Sequence, residues 1–132
     1  MKYVVDTHVL LWFLADSPKL SDDAKAVLLN PNSELILPAI ALAEAVWIVG
    51  SGKTSIPSVE SLWAAVNDDF RVEVYPLNRL VIKKTLALFA INEMHDRQIV
   101  ATALVVQDSG EEVALLTCDR NITASKLIPI IW

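Results

Sequence analysis

Apolar residues along this chain fall into short runs, some continuous and some spaced at the helical period. Tyr3–Val5 is a β-branched and aromatic run that stops at Asp6, and Glu34–Leu37 and Val113–Thr117 are similar; each predicts a strand. Arg71–Tyr75 alternates polar and apolar residues, as a strand near a sheet edge does, and Leu127–Ile131 closes the chain as a fifth. Helix signals fill the intervals. Thr7 is placed to cap a helix over Val9–Ala15, and Ser21 opens another, with Asp22 and Asp23 in its first turn, that ends near Asn30 and Pro31. Pro38 begins a helix running from Ala39 to Val49, with Gly50 as its stop. Ser58 caps a helix to Asn67 and Asn78 one to Ala90. A longer helix runs from Met94 or His95 to Asp108, and a short helical turn follows Asp119.

Strands separated mostly by helices require crossover connections. The expected fold is therefore α/β, a parallel sheet of about five strands with helices on both faces. Ligands of such sheets bind beyond the carboxyl ends of the strands. The 132 residues fit one domain spanning 1–132, and no repeat or linker divides them. A content of 54% hydrophobic and 20% charged residues, with three glycines, excludes disorder, collagen and coiled coil. The net charge of −5 argues against a broad electrostatic grip on a polyanion, but not against a nuclease that meets phosphate through metal ions. Cys118 is the sole cysteine, so no internal disulfide forms and a reducing cytoplasm is the expected compartment. Asp6 breaks the apolar start that a signal peptide needs. The run Leu35–Val49, uncharged except for Glu44, is shorter than the ~20 residues of a membrane span, so no membrane association is expected.

Four acids stand where acids are expensive. Asp6 ends the first strand and Asp119 follows the fourth, so both lie at one rim of the sheet. Glu44 is the only charge between Leu35 and Val49, on a helix that must pack mostly buried. Asp96 opens a helix whose following strand returns to the Asp119 rim. Buried carboxylates need a partner or a metal, and few cations lie nearby in sequence. The set points to a hard divalent cation, Mg²⁺ or Mn²⁺, because such ions take oxygen ligands. Two histidines and one cysteine are too few for a zinc cluster. Asp6, Asp96 and Asp119 also have a plain reading as helix caps or first-turn acids; Glu44 has none. Asp22–Asp23, Asp68–Asp69 and Glu111–Glu112 read as solvated surface.

The segments carrying these acids are YVVDTHVLLW (Tyr3–Trp12), AIALAE (Ala39–Glu44), DRQIVATA (Asp96–Ala103) and LLTCDRNI (Leu115–Ile122). In this order, and with the terminal IPIIW, they resemble the PIN-domain nucleases, specifically the VapC-like toxins of bacterial toxin–antitoxin pairs. The resemblance implies that Asp6, Glu44, Asp96 and Asp119 are the catalytic, metal-binding acids and that Thr117 is a supporting hydroxyl. It further implies a Mg²⁺- or Mn²⁺-dependent endoribonuclease in which metal-activated water hydrolyses an RNA phosphodiester and leaves a 5′-phosphate. A cognate antitoxin, covering or entering the acidic site, and often a second toxin chain in a homodimer, are the implied protein partners. Arg97 and Arg120, each beside a proposed ligand, either contact flanking phosphates or pair with their acidic neighbours. Where the subgroup carries a proline-containing, doubly acidic stretch before the third Asp, this chain reads INEMHD, which leaves the role of Glu93 open between surface acid, the favoured reading, and ligand. Two further readings are a PIN nuclease of RNA processing without an antitoxin and a non-catalytic PIN-fold binding module. A phosphoacceptor receiver domain is remote, because Asp6 lacks the acidic partner and late lysine such domains use.

Other features carry less. GSGKT (Gly50–Thr54) looks like the tail of a phosphate-binding P-loop, but Trp47 stands where that pattern needs Gly and the segment follows a helix. It reads as a helix stop and turn. His8 and His95 sit beside acids and either tune or relay protons or, the commoner role, pack or hydrogen-bond; Cys118 is expected to be a small core residue. Trp12, Trp47, Trp63 and Trp132 are core by position, and any of them left exposed would mark a partner surface.

Overall fold

The structure is a computed structural model describing residues 1–132. Strands form where the apolar runs lie: β1 (Lys2–Val5), β2 (Glu34–Pro38), β3 (Val72–Tyr75), β4 (Val113–Leu116) and β5 (Ile130–Ile131). They make one sheet in the order β3-β2-β1-β4-β5, and every neighbouring pair is parallel. The helices are α1 (Thr7–Leu14), α2 (Asp22–Leu29), α3 (Ala39–Gly50), α4 (Val59–Asp68), α5 (Arg79–Thr85), α6 (Met94–Asp108) and α7 (Arg120–Ser125). All four residues of β4 are buried in succession, as are Leu35, Ile36 and Leu37 of β2. Consecutive burial means that both faces of the sheet are covered, which parallel crossovers through helices bring about. The half-exposed β3 sits at the edge, as its alternation predicts.

Caps at Ser21, Ser58 and Asn78 form as expected, their side chains accepting from the backbone N–H of Ala24, Ser61 and Val81. Three local expectations are corrected. Thr7 does not cap α1; Asp6 does, its Oδ1 accepting from Thr7 N at 2.7 Å, because the extended backbone the N-cap needs falls one residue earlier. Gly50 is the last residue of α3 rather than its stop, and the left-handed turn residue is Gly52, at φ 71°. Helix α5 ends at Thr85, not Ala90. Beyond it, Leu86, Leu88 and Ile91 each donate to the residue three earlier, and these tight turns let Leu88 and Ile91 enter the core.

The tryptophans and the cysteine are corrected too. Trp47 is 76% exposed, Trp63 and Trp132 are also exposed, and Trp12 is half-buried. Helix α3 buries the stripe Ala41, Ala45 and Val49, so Trp47 falls on the opposite side. Cys118 lies just past β4, on the rim, and is exposed. No helix is long and apolar enough to cross a membrane.

Leu115 is fully buried on β4, between β1 and β5. Leu115→Ala is expected to cost roughly 2–5 kcal/mol through lost burial and the cavity left behind, read as a lower urea midpoint at unchanged m-value.

Candidate active site

Parallel pairing of β1 with β4 sets the centre. Val5 is registered with Leu116, and Asp6 N donates to Leu116 O at 3.2 Å, so Asp6 and Thr117 emerge side by side at the carboxyl rim. The Thr117 hydroxyl, fully buried, donates to Asp6 Oδ2 at 2.6 Å and accepts from Asp119 N at 3.1 Å. Asp119 Oδ1 in turn caps α7 through Ile122 N at 2.8 Å. One hydroxyl thus ties together the two segments that carry Asp6 and Asp119.

Glu44 arrives from the neighbouring crossover. Helix α3 leaves the carboxyl end of β2 and packs on α1, where the buried Thr7 hydroxyl donates to Glu44 Oε1 at 2.9 Å. Helix α6, which packs on α3, brings Asp96 in its first turn. That helix is capped by Glu93, whose Oε2 accepts from Asp96 N at 2.9 Å. His95 Nδ1 lies 3.0 Å from Glu93 Oε1 and 3.6 Å from Glu44 Oε2.

The electrostatics record how crowded the four acids are. Asp96 is pushed up to about 7, first by burial and then by the negative charges of Asp119, Asp6, Glu93 and Glu44. Burial raises Asp6 as well, by more than the hydrogen bonds from Thr117 and Thr7 lower it. Glu93 goes the other way: burial works to raise it, but N–H donation from His95 and Asp96 holds it below the ordinary range. Partial burial and the nearby Asp6 and Asp119 charges raise the Cys118 thiol, which makes it a poor nucleophile.

No lysine or arginine pairs with Asp6, Glu44, Asp96 or Asp119. Nor do three His, Cys, Asp or Glu side chains close into a ready-made metal cage. Oxygen ligands without a cationic partner are the donor chemistry that would suit a hard divalent cation. Asp6, Glu44, Asp96 and Asp119 are the residues that would hold it.

The two arginines divide. Arg97 Nε donates to the Ile91 carbonyl, and its side chain lines a depression with Thr85, Asn92 and Gln98. Arg120 is exposed and lines a different depression that includes Thr117. Neither pairs with an acid. Thr7 and Glu93 take roles other than those their sequence positions suggest, and Asn121 takes one that its position does not announce. Thr7 is the hydroxyl that fixes Glu44, and its signal was there as a Thr directly after the first rim acid. Glu93 is the cap that starts α6; Glu is an unusual cap, so composition hid it. Asn121 accepts from Asn92 N at 3.1 Å and donates to Ala90 O at 3.1 Å, linking α7 to the loop before α6, a contact across 29 to 31 residues that leaves no sequence trace.

A parallel α/β sheet with an acidic carboxyl rim is the class that geometry defines. The PIN domain family model matches residues 3–125, and the chain belongs to that family. Among solved structures, the chain is similar to VapBC2 from Rickettsia felis bound to a promoter DNA fragment, at 16% identity and TM-score 0.71, covering 99% of this chain and 98% of that one. FitAcB from Neisseria gonorrhoeae follows at 18% identity and TM-score 0.68, covering 98% and 96%. A toxin–antitoxin complex from Klebsiella pneumoniae gives 15% identity and TM-score 0.68, covering 99% and 97%. At these identities the likeness is one of fold. No curated protein matches the chain in sequence.

The Asp96 shift has a stability consequence. Its folded value, about 7, lies above the ordinary 3.8, so the folded protein holds the proton more tightly. Stability from this group is full below about pH 4 and is lost as pH rises through about 7. Asp96→Asn should therefore melt a few degrees above the parent in EDTA near pH 8. Allowing for partial exposure, that is on the order of 1 kcal/mol, and the two should converge near pH 4. Calorimetric scans at the two pH values check it; an Asn variant that melts lower at the higher pH contradicts the crowding.

Proposed function

We propose that residues 1–132 work as one PIN-type nuclease unit, a divalent-metal-dependent endoribonuclease that is the toxin of a toxin–antitoxin pair. Support for the metal site comes above all from Asp96, whose carboxyl is driven up to about 7 by burial and by the other acids converging on it. Such a position is unfavourable for the empty protein and favourable for one that holds a doubly charged ion.

Bound Mg²⁺ or Mn²⁺ supplies a water of lowered pKa and positive charge for the scissile phosphate and the departing 3′-oxygen. The chain's own residues do the positioning. Thr117 orients the Asp6 carboxylate and holds the Asp119 backbone against it, while Thr7 fixes one Glu44 oxygen and the other lies 3.6 Å from His95 Nδ1. Each hydroxyl uses one lone pair of its carboxylate and leaves others for coordination. Glu93 holds the first turn of α6, and so the Asp96 backbone.

The toxin role draws on the neighbours, among them VapBC2 bound to a promoter DNA fragment and a toxin–antitoxin complex. An antitoxin and a second copy of the chain are the proposed protein partners, with the cytoplasm as the compartment. Exposed Trp47 and Trp63 offer apolar area of the kind that partner surfaces use.

The purified chain should cleave RNA in Mn²⁺ or Mg²⁺, leave 5′-phosphate ends, and stop in EDTA. Asp6→Asn and Asp96→Asn should each lower kcat at least about a hundredfold and relieve growth arrest on expression. Full metal-dependent cleavage by both variants would overturn the assignment.

A further inference from the structure

Two depressions flank the acidic centre, and neither is explained by holding a cation. One, of about 770 Å³, is lined by Thr117, Arg120 and Trp132 among others. The second, of about 480 Å³, is lined by His8, Trp12, Lys19 and Lys53 among others. An aromatic ridge stands between them. His8 and Trp12 lie 5.8 Å apart between ring centroids, and Trp12 and Trp132 are likewise 5.8 Å apart, both pairs tilted by about 50°. The first depression touches the acidic site through Thr117, which donates to Asp6; the second comes near it through His8, which follows Thr7, the donor to Glu44.

The charge placement is selective. Of eleven lysines and arginines, four form ion pairs: Lys2, Lys25, Arg71 and Lys84. Arg120, Lys19 and Lys53 are among the free ones, and they sit on both sides of the ridge in a chain of net charge −5. Asp16, the one acid lining the second depression, lies 3.5 Å from Lys25. The GSGKT segment also finds a place here. Gly52, at φ 71°, turns the chain immediately after α3, and the exposed Lys53 that follows lines the depression. The segment ends a helix, so it forms no P-loop.

We infer that this ridge and its two basic flanks form a single-stranded RNA track, with a nucleobase stacked on the Trp12–Trp132 edge and the adjoining phosphates held by Arg120 on one side and Lys53 with Lys19 on the other. The inference rests on the nuclease reading and adds to it the residues that would carry the strand outside the four acids, where unpaired bases present their ring faces. Stacking needs such faces, and a duplex buries them. Cations spaced on both sides of the stacking platform let the strand pass the acidic rim without a continuous basic patch.

The test uses the full chain with Asp96→Asn as parent, so that the RNA is held without being cut, and reads fluorescence anisotropy of a labelled single-stranded oligoribonucleotide. Added to that parent, Trp132→Ala should weaken binding at least about fivefold and Trp132→Phe much less, since Phe still stacks. Lys53→Glu and Arg120→Glu should each weaken binding and flatten its salt dependence by roughly one phosphate contact. Lys53 is exposed on a turn, so its variant reports even if the tryptophan change disturbs folding. A duplex of the same sequence should bind more weakly than the single strand and be insensitive to Trp132. The track is refuted if Trp132→Ala, Lys53→Glu and Arg120→Glu all bind single-stranded RNA like the parent. It is refuted equally if they lose only antitoxin binding or dimerisation. Cleavage by the otherwise unmodified chain in Mn²⁺ is scored separately. RNA held through Trp132 and Lys53 but never cut sinks the nuclease reading and leaves the track, whereas RNA cut alike with and without those residues does the reverse.

Discussion

Mutual repulsion among four carboxylates is the constraint around which the carboxyl rim of this sheet is built. Asp6, Glu44, Asp96 and Asp119 come from four separate segments, and no lysine or arginine neutralises them. Bringing like charges into partly buried space is unfavourable, so something must hold them there. The holding is done by neutral donors. Thr117 and Thr7 hydroxyls and the N–H groups of helix starts restrain the acids without cancelling their charge. A cation partner would have stabilised these carboxylates by cancelling their charge, and the structure provides none.

That choice explains features that look unrelated. Thr117 is fully buried at the end of a strand because its hydroxyl must reach Asp6 and Asp119 together. Asp6 and Asp119 both cap helices, and the helix starts they cap offer a favourable partial charge to carboxylates that would otherwise be costly. Among the four, Asp96 alone has no hydrogen bond to its carboxylate, and burial together with the neighbouring negative charges pushes it up to about 7. The core beneath is continuous and apolar, so the rim is rigidly mounted, and the crossovers place all four acids on one side of it.

Legibility in the sequence followed the range of the interaction. The strands, the Ser21, Ser58 and Asn78 caps and the parallel α/β class were readable because they depend on residues a few positions apart. The shared rim of Asp6 and Asp119 was readable too, because acids that follow parallel strands must emerge at the same end of the sheet. Burial of individual side chains was less readable. Apolar size placed Trp47, Trp63 and Trp132 inside, but which side of a helix meets the sheet depends on packing partners far along the chain. The helix following Asn78 was drawn too long, because Leu86–Ala90 is apolar enough for a helix and becomes a run of tight turns that serve the core.

What the chain's residue order determined unaided was the set of elements, their crossover connection and the presence of acids without partners. Tertiary structure alone decided how those acids are held. Thr7 turned from a cap into the donor to Glu44, Glu93 became the start of α6, and Asn121 reached across about thirty residues to the loop before it. The physical reason is that propensity and period are summed over neighbours in sequence, whereas a hydrogen bond between a hydroxyl and a distant carboxylate exists only once the sheet has set the register that brings them within reach.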